Sequence, residues 1–441
     1  MSRAWIDKNI DDFKEEIIRC GDNLFKNPET GFFEFTTRDI VSSFLNQHRI
    51  PYETDYLRTG VRIPLGVQMD AEKSDHAEQS NSVDKPYHIA VLADMDALLV
   101  PGDNGEMIPF HSCGHSIQVA VMLFAAKLLY ESEEFKNCKG RVTFFTTPAE
   151  EFIEFDKREK LKQEGRIRYF SGKQNMIAEG MFDDVDCVLS CHINGDTETL
   201  FDVGSTLAGF QAKEITFLGE PAHAGFAPFA GRNALQGASL FMNALGMLKD
   251  QFNPTEGIKI YPVMKECEAS LNVIPSKISM ETYVRANTTA GLFDASAKFD
   301  QCATHCAQAL GLECEINTIP GYLPLKQSEQ LNDVILKNML DICPEEKIVK
   351  GVLSGASGDV GDIGTLLPTV QFGFSGISGR IHSADFEITD PENVYCNTTK
   401  VLVNTILDLL EHKELQVKNP NYKSDKENYL RNWLQEKEKT L

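Results

Sequence analysis

The run H-I-A-V-L-A-D-M-D, residues 88–96, is the strongest indication of the fold in this sequence. Its apolar run indicates a buried strand, and two aspartates follow at the carboxyl end. The runs R-V-T-F-F-T-T (141–147) and C-V-L-S-C-H-I (187–193) have the same strand character, and residues 117–130 have the composition of an apolar helix. Strands that alternate with helices predict an α/β domain whose mostly parallel sheet is covered by helices on both faces.

Side chains that bind metal ions follow these predicted strands. H-S-C-G-H occupies residues 111–115, T-P-A-E-E occupies 147–151, and Cys191-His192 closes the third strand. A fourth strand near the C-terminus runs into R-I-H, residues 380–382. Because sites in parallel sheets gather at the carboxyl ends of strands, we expect these groups to meet at one edge of the sheet.

The combination of residue types indicates metal-dependent hydrolysis. One thiolate, three imidazoles and a carboxylate are more than a single tetrahedral ion needs, so the pattern predicts two ions that share a bridging ligand. One glutamate of the Glu150–Glu151 pair can bind metal while its neighbour takes a proton from metal-bound water. Taken singly, each residue has an ordinary structural explanation: a buried cysteine, a glutamate pair that starts a helix, or a hydrogen-bonded histidine.

Composition narrows the class of protein further. The chain has 441 residues, enough for two domains, and 42% hydrophobic residues, enough for sizeable cores. A net charge of −22 argues against nucleic acid and anionic membranes as partners. Eleven scattered cysteines without a C-x-x-C pair indicate reduced thiols, and neither a signal peptide nor a membrane-spanning run is apparent. We therefore expect a cytoplasmic protein.

A second pattern interrupts the first. Residues 206–318 have the predicted order β-α-β-β-α-β, which is typical of a ferredoxin-like α+β fold. Sheet elements of the first kind flank it on both sides. We therefore predict a discontinuous catalytic, metal-binding domain formed by residues 1–205 and 319–441, with residues 206–318 inserted as a lid domain.

An ordered set of motifs carries a family resemblance. These are A-D-M-D-A-L (93–98), H-S-C-G-H (111–115), P-A-E-E (148–151), C-H-I (191–193) and I-H-S-A-D-F (381–386). They resemble the aminoacylase/carboxypeptidase superfamily of co-catalytic metallo-amidohydrolases. The most similar branch contains N-acyl-amino-acid, indole-acetyl-amino-acid and aminobenzoyl-glutamate hydrolases. The resemblance spans nearly the whole chain and includes the lid insertion.

The resemblance implies a role for each matching residue. Glu150 would be the general base, and Asp96 would orient a ligand histidine, with support from Asp94. Two divalent ions per subunit, zinc or manganese with cobalt as a further option, suit this mixture of ligands. The implied metal ligands, with Cys113 as the bridge, are Cys113, His115, Glu151, His192 and His382.

The resemblance also assigns residues in the inserted domain. His223, in P-A-H-A, would reach the scissile carbonyl, in this family often from the partner subunit. Asn272, in N-V-I-P, and Arg285 would bind the substrate carboxylate, for which the planar guanidinium is suited. A salt bridge on a sheet face is the alternative explanation of Arg285. The resemblance implies a homodimer formed through the lid domain.

The chain departs from the family pattern after H-S-C-G-H and after the Glu-Glu pair, whereas its glycine-rich run, residues 354–362, resembles that of the aminobenzoyl-glutamate branch. Ser116 and Gln118 follow H-S-C-G-H where the family has further metal-site residues. A charged segment, residues 152–172, follows the Glu-Glu pair and is predicted to be a solvated helix that could wall one side of the cleft. The glycine-rich run 354–362 lacks the lysine of a phosphate loop, and Asp359 within it has no assigned chemistry.

These observations predict a metal-dependent amidohydrolase or metallopeptidase. It would cleave the amide bond of an N-acyl amino acid or dipeptide with a free carboxylate, using metal-activated water and a glutamate base. An aminobenzoyl-glutamate-type hydrolase or a dipeptidase is the alternative within this class. A cysteine hydrolase with Cys113 as nucleophile and His115 as base, and a silent binding homologue, remain alternatives outside it.

Overall fold

The computed structural model describes residues 3–66, 85–102, 104–195, 198–267 and 270–435. The strands are β1 (Glu53–Tyr56), β2 (Gly60–Gly66), β3 (His88–Asp94), β4 (Leu98–Pro101), β5 (Met107–Phe110), β6 (Arg141–Thr147), β7 (Cys187–Ile193), β8 (Phe201–Val203), β9 (Gly209–Leu218), β10 (Lys259–Ile260), β11 (Val263–Cys267), β12 (Lys277–Ala286), β13 (Glu313–Tyr322), β14 (Ile348–Lys350), β15 (Thr369–Phe374), β16 (Ile377–Ser378) and β17 (Glu387–Ile388). The helices are α1 (Ala4–Phe25), α2 (Phe35–Gln47), α3 (His115–Glu131), α4 (Glu133–Lys136), α5 (Phe155–Gln163), α6 (Gly172–Ala178), α7 (Ala234–Leu248), α8 (Thr289–Ala309), α9 (Glu329–Leu340), α10 (Val360–Gly364), α11 (Thr398–Glu411) and α12 (Tyr422–Asn428). Within these residues no helix has the length and apolar character needed to cross a membrane.

The chain divides into two compact units. The first comprises residues 1–205, 326–352 and 362–441, and its sheet has the order β1-β2-β6-β3-β7-β15-β8-β14. The four central strands, β6, β3, β7 and β15, run parallel to one another, and antiparallel strands extend the sheet on either side. The prediction of a mixed α/β fold with a large, mostly parallel sheet is confirmed.

Burial shows that both faces of the central sheet are covered. Successive side chains of a strand point to opposite faces, and all seven residues of β3 are buried. Helix α3 contacts β3 and packs against α1 and α11, and its residues His115 to Leu129 are all buried. The apolar helix predicted from the sequence is therefore the central helix of this unit, and its first residue is a candidate metal ligand.

The second unit comprises residues 206–325 and 353–361. An antiparallel sheet, β10-β12-β9-β13 with β11 also paired to β12, packs against α7 and α8. This unit is longer than the predicted insertion because β13 continues to Tyr322. The strand expected between residues 258 and 264 forms as two short strands, because Pro262 lies between β10 and β11 and lacks the amide hydrogen that pairing requires.

The charged segment that follows the Glu-Glu pair, predicted to be a solvated helix, has a buried face as well. It contains the predicted helix, α5, but Arg158 and Leu161 of that helix are buried. Phe152, Phe155 and Phe170 pack edge to face, with ring centroids 5.1 to 6.2 Å apart. The segment therefore forms a helix whose charged face is exposed, as predicted, while Arg158, Leu161 and the aromatic cluster pack into the first unit.

Candidate metal centre

Gly114 sets the relation between the first two candidate ligands. It lies between Cys113 and His115 with φ at 78°, a left-handed conformation that glycine adopts without strain. A Cβ atom there would come within 3.0 Å of Ile193 Cγ2. The glycine therefore lets the chain turn tightly into α3 against the end of β7, where His192 lies.

The structure brings the predicted ligands together in the first unit. Cys113 Sγ lies 3.5 Å from His192 Nε2 and 3.3 Å from His382 Nε2. Three sets of ligand atoms each lie within 4.8 Å of one another: Cys113, His115 and His192; Cys113, Glu151 and His382; and His115, Glu150 and Glu151. The first two sets share only the sulfur of Cys113, which is the geometry that a bridging ligand needs.

Hydrogen bonds select the ring nitrogen that each buried histidine offers. His115 Nδ1 donates to the carbonyl oxygen of Asp96 at 2.9 Å, and His192 Nδ1 donates to that of Ile193 at 2.8 Å. Each bond leaves the Nε2 atom as the possible ligand atom near Cys113, which is how metal-binding histidines are commonly held. Burial opposes the charged form of the His115 ring, but Cys113 and Asp96 raise the pKa of His115 well above its usual value. The backbone that carries His382 differs from the predicted strand end: His382 lies in a loop after β16, with φ at 66°.

Asp96 holds the Glu-Glu turn as well as His115. Its carboxylate is fully buried and accepts the amide hydrogens of Glu150, at 3.1 Å, and Glu151, at 3.0 Å. The prediction that the Asp96 carboxylate orients a ligand histidine stays a prediction, since His115 bonds the backbone carbonyl of Asp96, but the carboxylate has a further contact. Asp96 fixes the backbone from which the two candidate catalytic glutamates project.

The two departures after H-S-C-G-H have different consequences. Gln118 Oε1 accepts the amide hydrogen of Asp94 at 2.9 Å, so it supports the end of β3. Asp94 itself pairs with the buried ammonium of Lys173 and accepts a hydrogen bond from Thr147. Ser116 is buried, and its hydroxyl has no hydrogen-bond partner in the described part of the chain. Asp94 is thus balanced by a lysine that the sequence analysis did not single out.

Electrostatics favour a cation at this position. Burial raises the pKa of the Cys113 thiol far above its usual range and, with Asp96 nearby, raises the pKa of Glu151 to about 7. Burial also lowers the pKa of His192 to about 4, which keeps its imidazole neutral. His115 Nε2 and Glu151 Oε1 are buried and have no hydrogen-bond partner among the residues that the structure describes. Divalent ions would satisfy these atoms and favour the ionised thiolate and carboxylate, so the residues fit a metal site.

The remaining predicted residues lie in the second unit. His223 and Asn272 are exposed and adjacent, because the amide of Ala224 donates to the Asn272 carbonyl at 2.9 Å. Arg285 is half-buried, with its guanidinium carbon 5.2 and 5.3 Å from the ring centroids of Phe210 and Tyr283, and Nη1 donates to Ser357 Oγ at 2.9 Å. Within the described part of the chain no carboxylate pairs with Arg285, which removes the salt-bridge explanation.

Glu34 is a site residue that the sequence analysis missed. Its buried carboxylate accepts the amide hydrogen of Ala149 at 2.9 Å and the hydroxyl hydrogen of Thr59 at 2.6 Å. Ala149 has φ at 57°, so the turn before the two glutamates is held in a left-handed conformation. The run N-P-E-T-G-F, residues 27–32, precedes Glu34 closely, but nothing in the sequence links Glu34 to residue 149.

Glu34→Gln is expected to flatten the pH dependence of stability in the metal-free protein. Burial, together with the charge of Asp96, raises the pKa of Glu34 from 4.5 to about 8. The stability linked to this proton is fully present below the lower pKa and is lost as the pH rises through the higher one. Urea unfolding midpoints of both proteins at about pH 5 and pH 8 would measure this. An equal decline in wild type and variant would exclude the effect, and Glu159→Gln, at an exposed position, is the control.

A buried thiol, imidazoles and carboxylates at the carboxyl edge of a mostly parallel sheet define a metal-dependent hydrolase. The sequence model of peptidase family M20/M25/M40 matches residues 90–408, and the chain belongs to this family. Members of this family are hydrolases that act on amide C–N bonds, and this chain is an enzyme of that class.

Individual relatives agree with this assignment. An Arabidopsis thaliana IAA-amino acid hydrolase is 23% identical over 85% of this chain and 80% of its own length. A human Xaa-Arg dipeptidase is 23% identical over 92% of this chain and 88% of its own length. A Bacillus subtilis structure described as a dinuclear metal-binding M20 peptidase has a TM-score of 0.66 and 18% identity, covering 91% of this chain and 99% of that chain. At this identity the structural likeness establishes the fold.

Proposed function

We propose that this chain hydrolyses the amide bond of an N-acyl amino acid or dipeptide that carries a free carboxylate. Two divalent ions, zinc or manganese with cobalt as a further option, would be held by Cys113, His115, Glu151, His192 and His382. The observation that carries the proposal is the pair of ligand sets that share the Cys113 sulfur. Bound ions of this kind lower the pKa of coordinated water and polarise a carbonyl group.

Glu150 is the general base in this proposal. Its carboxylate lies beside the ligand set, 3.9 Å from His115 Nε2, and its backbone is fixed by Asp96. Glu150 takes a proton from the attacking water and then delivers it to the nitrogen of the leaving amine. Asp96 would hold both the Glu150 backbone and the His115 ring in place during this transfer.

Arg285 is the proposed anchor for the substrate carboxylate. A half-buried guanidinium without an acidic partner is costly, and burial lowers the pKa of Arg285. A carboxylate would pair with it through two parallel hydrogen bonds. Asn272 would assist in carboxylate binding, and His223 would stabilise the oxyanion that develops on the scissile carbonyl. The second unit would act as the lid that carries these groups.

The geometry of the second unit supports a homodimer. His223 and Asn272 lie before the first residue of β12, whereas Arg285 lies near its last residue. Eight residues of extended strand separate Lys277 from Arg285, or about 26 Å. A small substrate cannot contact the His223 and Asn272 side chains and Arg285 of the same subunit at once. One of these two groups would therefore have to come from a partner subunit. Strand β11 offers an edge for such pairing, because all five of its residues are exposed.

A substrate panel tests the proposal. Metal-stripped protein is assayed on N-acyl amino acids, dipeptides and aminobenzoyl-glutamate, with and without Zn²⁺ or Mn²⁺. Each substrate is paired with its carboxamide, which keeps the scissile bond but removes the negative charge. We expect activity only with added ion, and a kcat/KM at least about thirtyfold lower for the carboxamides. Equal rates for acid and amide would remove Arg285 from the proposal.

The same panel separates the other candidate functions. Full activity in stripped protein, with loss on thiol alkylation, would indicate Cys113 as a nucleophile, although burial keeps this thiol protonated. Bound ions without turnover of any substrate would indicate a binding protein. A cytoplasmic location, inferred from the cysteine pattern, remains a prediction, and all eleven cysteines are free thiols in the structure.

A further inference from the structure

Arg158 is a buried cation beside the Glu-Glu turn. It lies in α5, within the charged segment that distinguishes this chain, and its side chain is 1% exposed. One terminal nitrogen, Nη1, donates to the carbonyl oxygen of Phe170 at 2.6 Å, and Nη2 donates to that of Glu151. The guanidinium therefore joins the two ends of the segment and binds the backbone of a candidate metal ligand.

The surroundings leave a space shaped for this guanidinium. A Cβ atom on Gly31 would come within 2.7 Å of both Arg158 Nη2 and Ala149 Cα. The ring of Phe32 lies 5.6 Å from the guanidinium carbon. The glycine of the N-P-E-T-G-F motif thus leaves room where the arginine and the turn meet.

The turn is held on one side by carboxyl groups and on the other by a guanidinium. Asp96 and Glu34 accept its amide hydrogens, and Arg158 donates to the carbonyl oxygen of Glu151. Without the arginine, the amide side of the turn stays fixed while the carbonyl side loses its charged partner. A backbone shift on that side moves the glutamate side chains, and a displacement of about 1 Å can reduce a rate about a hundredfold.

We propose that Arg158 is a positioning residue, which holds the backbone of Glu151 so that Glu150 and Glu151 keep the separation needed for proton transfer and ion binding. This role rests on the proposed amide hydrolysis. The segment 152–170 would then help to position the two glutamates, because the Arg158 guanidinium closes it into a loop by bonding the residues at its two ends.

The test compares Arg158→Met, Arg158→Lys and the control Arg166→Met in the full-length protein. Arg166 belongs to the same segment but is exposed and pairs with Glu164. The measurements are kcat, KM, Zn²⁺ affinity by chelator competition, and thermal stability. We expect kcat to fall about a hundredfold in Arg158→Met and about tenfold in Arg158→Lys, because lysine cannot bond both carbonyl groups at once. Zinc affinity should fall with kcat, while KM stays within about twofold because carboxylate binding lies elsewhere.

Recovery of kcat in Arg158→Ala on adding millimolar guanidinium, with no rise in the kcat of the wild type or of Arg166→Ala, would further support the role. Wild-type kcat and zinc affinity in folded Arg158→Met would overturn it, as would a rise in KM alone. If Arg158→Met does not fold, Arg158→Lys decides by the same criteria. If the wild type hydrolyses no amide, the proposed function fails, but zinc affinity still tests whether Arg158 positions the ligand turn.

Discussion

Glu150→Gln is expected to lower kcat about a thousandfold while the protein still folds and binds its ions. Glutamine has nearly the shape of glutamate and keeps the amide hydrogen bond to Asp96, so the turn is not disturbed. It cannot accept the proton of the attacking water. We therefore expect KM to change by less than about threefold, because the substrate anchors lie in other residues. Steady-state kinetics with ion content by mass spectrometry would measure this.

A matched variant separates chemistry from general damage. Glu159→Gln makes the same change at an exposed position of α5, and its kcat should equal that of the wild type. If Glu150→Gln retained more than about a tenth of wild-type kcat, another group would have to be the base. If it lost its ions together with its activity, Glu150 would have to be counted among the metal ligands.

Two inactive variants are expected to restore activity when they are mixed. His223→Ala removes the proposed oxyanion group, and Glu150→Gln removes the base, so each homodimer should be nearly inactive. If His223 serves the partner's metal centre, a mixed dimer has one centre that receives both wild-type residues. Random exchange of subunits would then restore about a quarter of wild-type sites. Activity after co-expression or after subunit exchange measures this directly.

The control mixes Glu150→Gln with His382→Ala. Both residues belong to the metal centre of one subunit, so no centre in the mixed dimer is intact and activity should stay low. Restored activity in this control would indicate contamination with wild-type protein or an exchange of chain segments between the subunits. A monomer by sedimentation, or no recovery in the His223 mixture, would contradict the proposed sharing of sites between subunits.

The sequence predicts those parts of the fold whose signals are local. The buried strands β3, β6 and β7 and the apolar helix α3 appear as predicted, because continuous apolar runs specify elements buried on both faces. The order of elements in the second unit also follows from local patterns. The buried face of the segment after Glu151 was not predicted, because the charge of the segment suggested solvation. Aromatic packing and one buried arginine hold this face against the first unit.

The candidate site was predictable where ligands follow strand ends. His192 lies at the end of β7 and Glu151 just after β6, whereas Cys113 and His115 lie between β5 and the start of α3; the structure brings all four within ligand distance. Groups that support the turn were not predictable in the same way. Glu34 and Lys173 become partners of Ala149 and Asp94 only after distant segments fold together. A single sequence does not show that such acids and cations are buried.

The shared sulfur of Cys113 has a consequence for synthesis of the chain. Cys113, His115 and His192 emerge from the ribosome early, whereas His382 lies 269 residues after Cys113. A nascent chain can thus complete the first ligand set long before the second. The first ion could then bind before the chain is complete. The second ion would link the segment that contains His382 to the one that contains Cys113, and so close a very long loop. Loading of the second ion would then report that the whole chain has been made and folded.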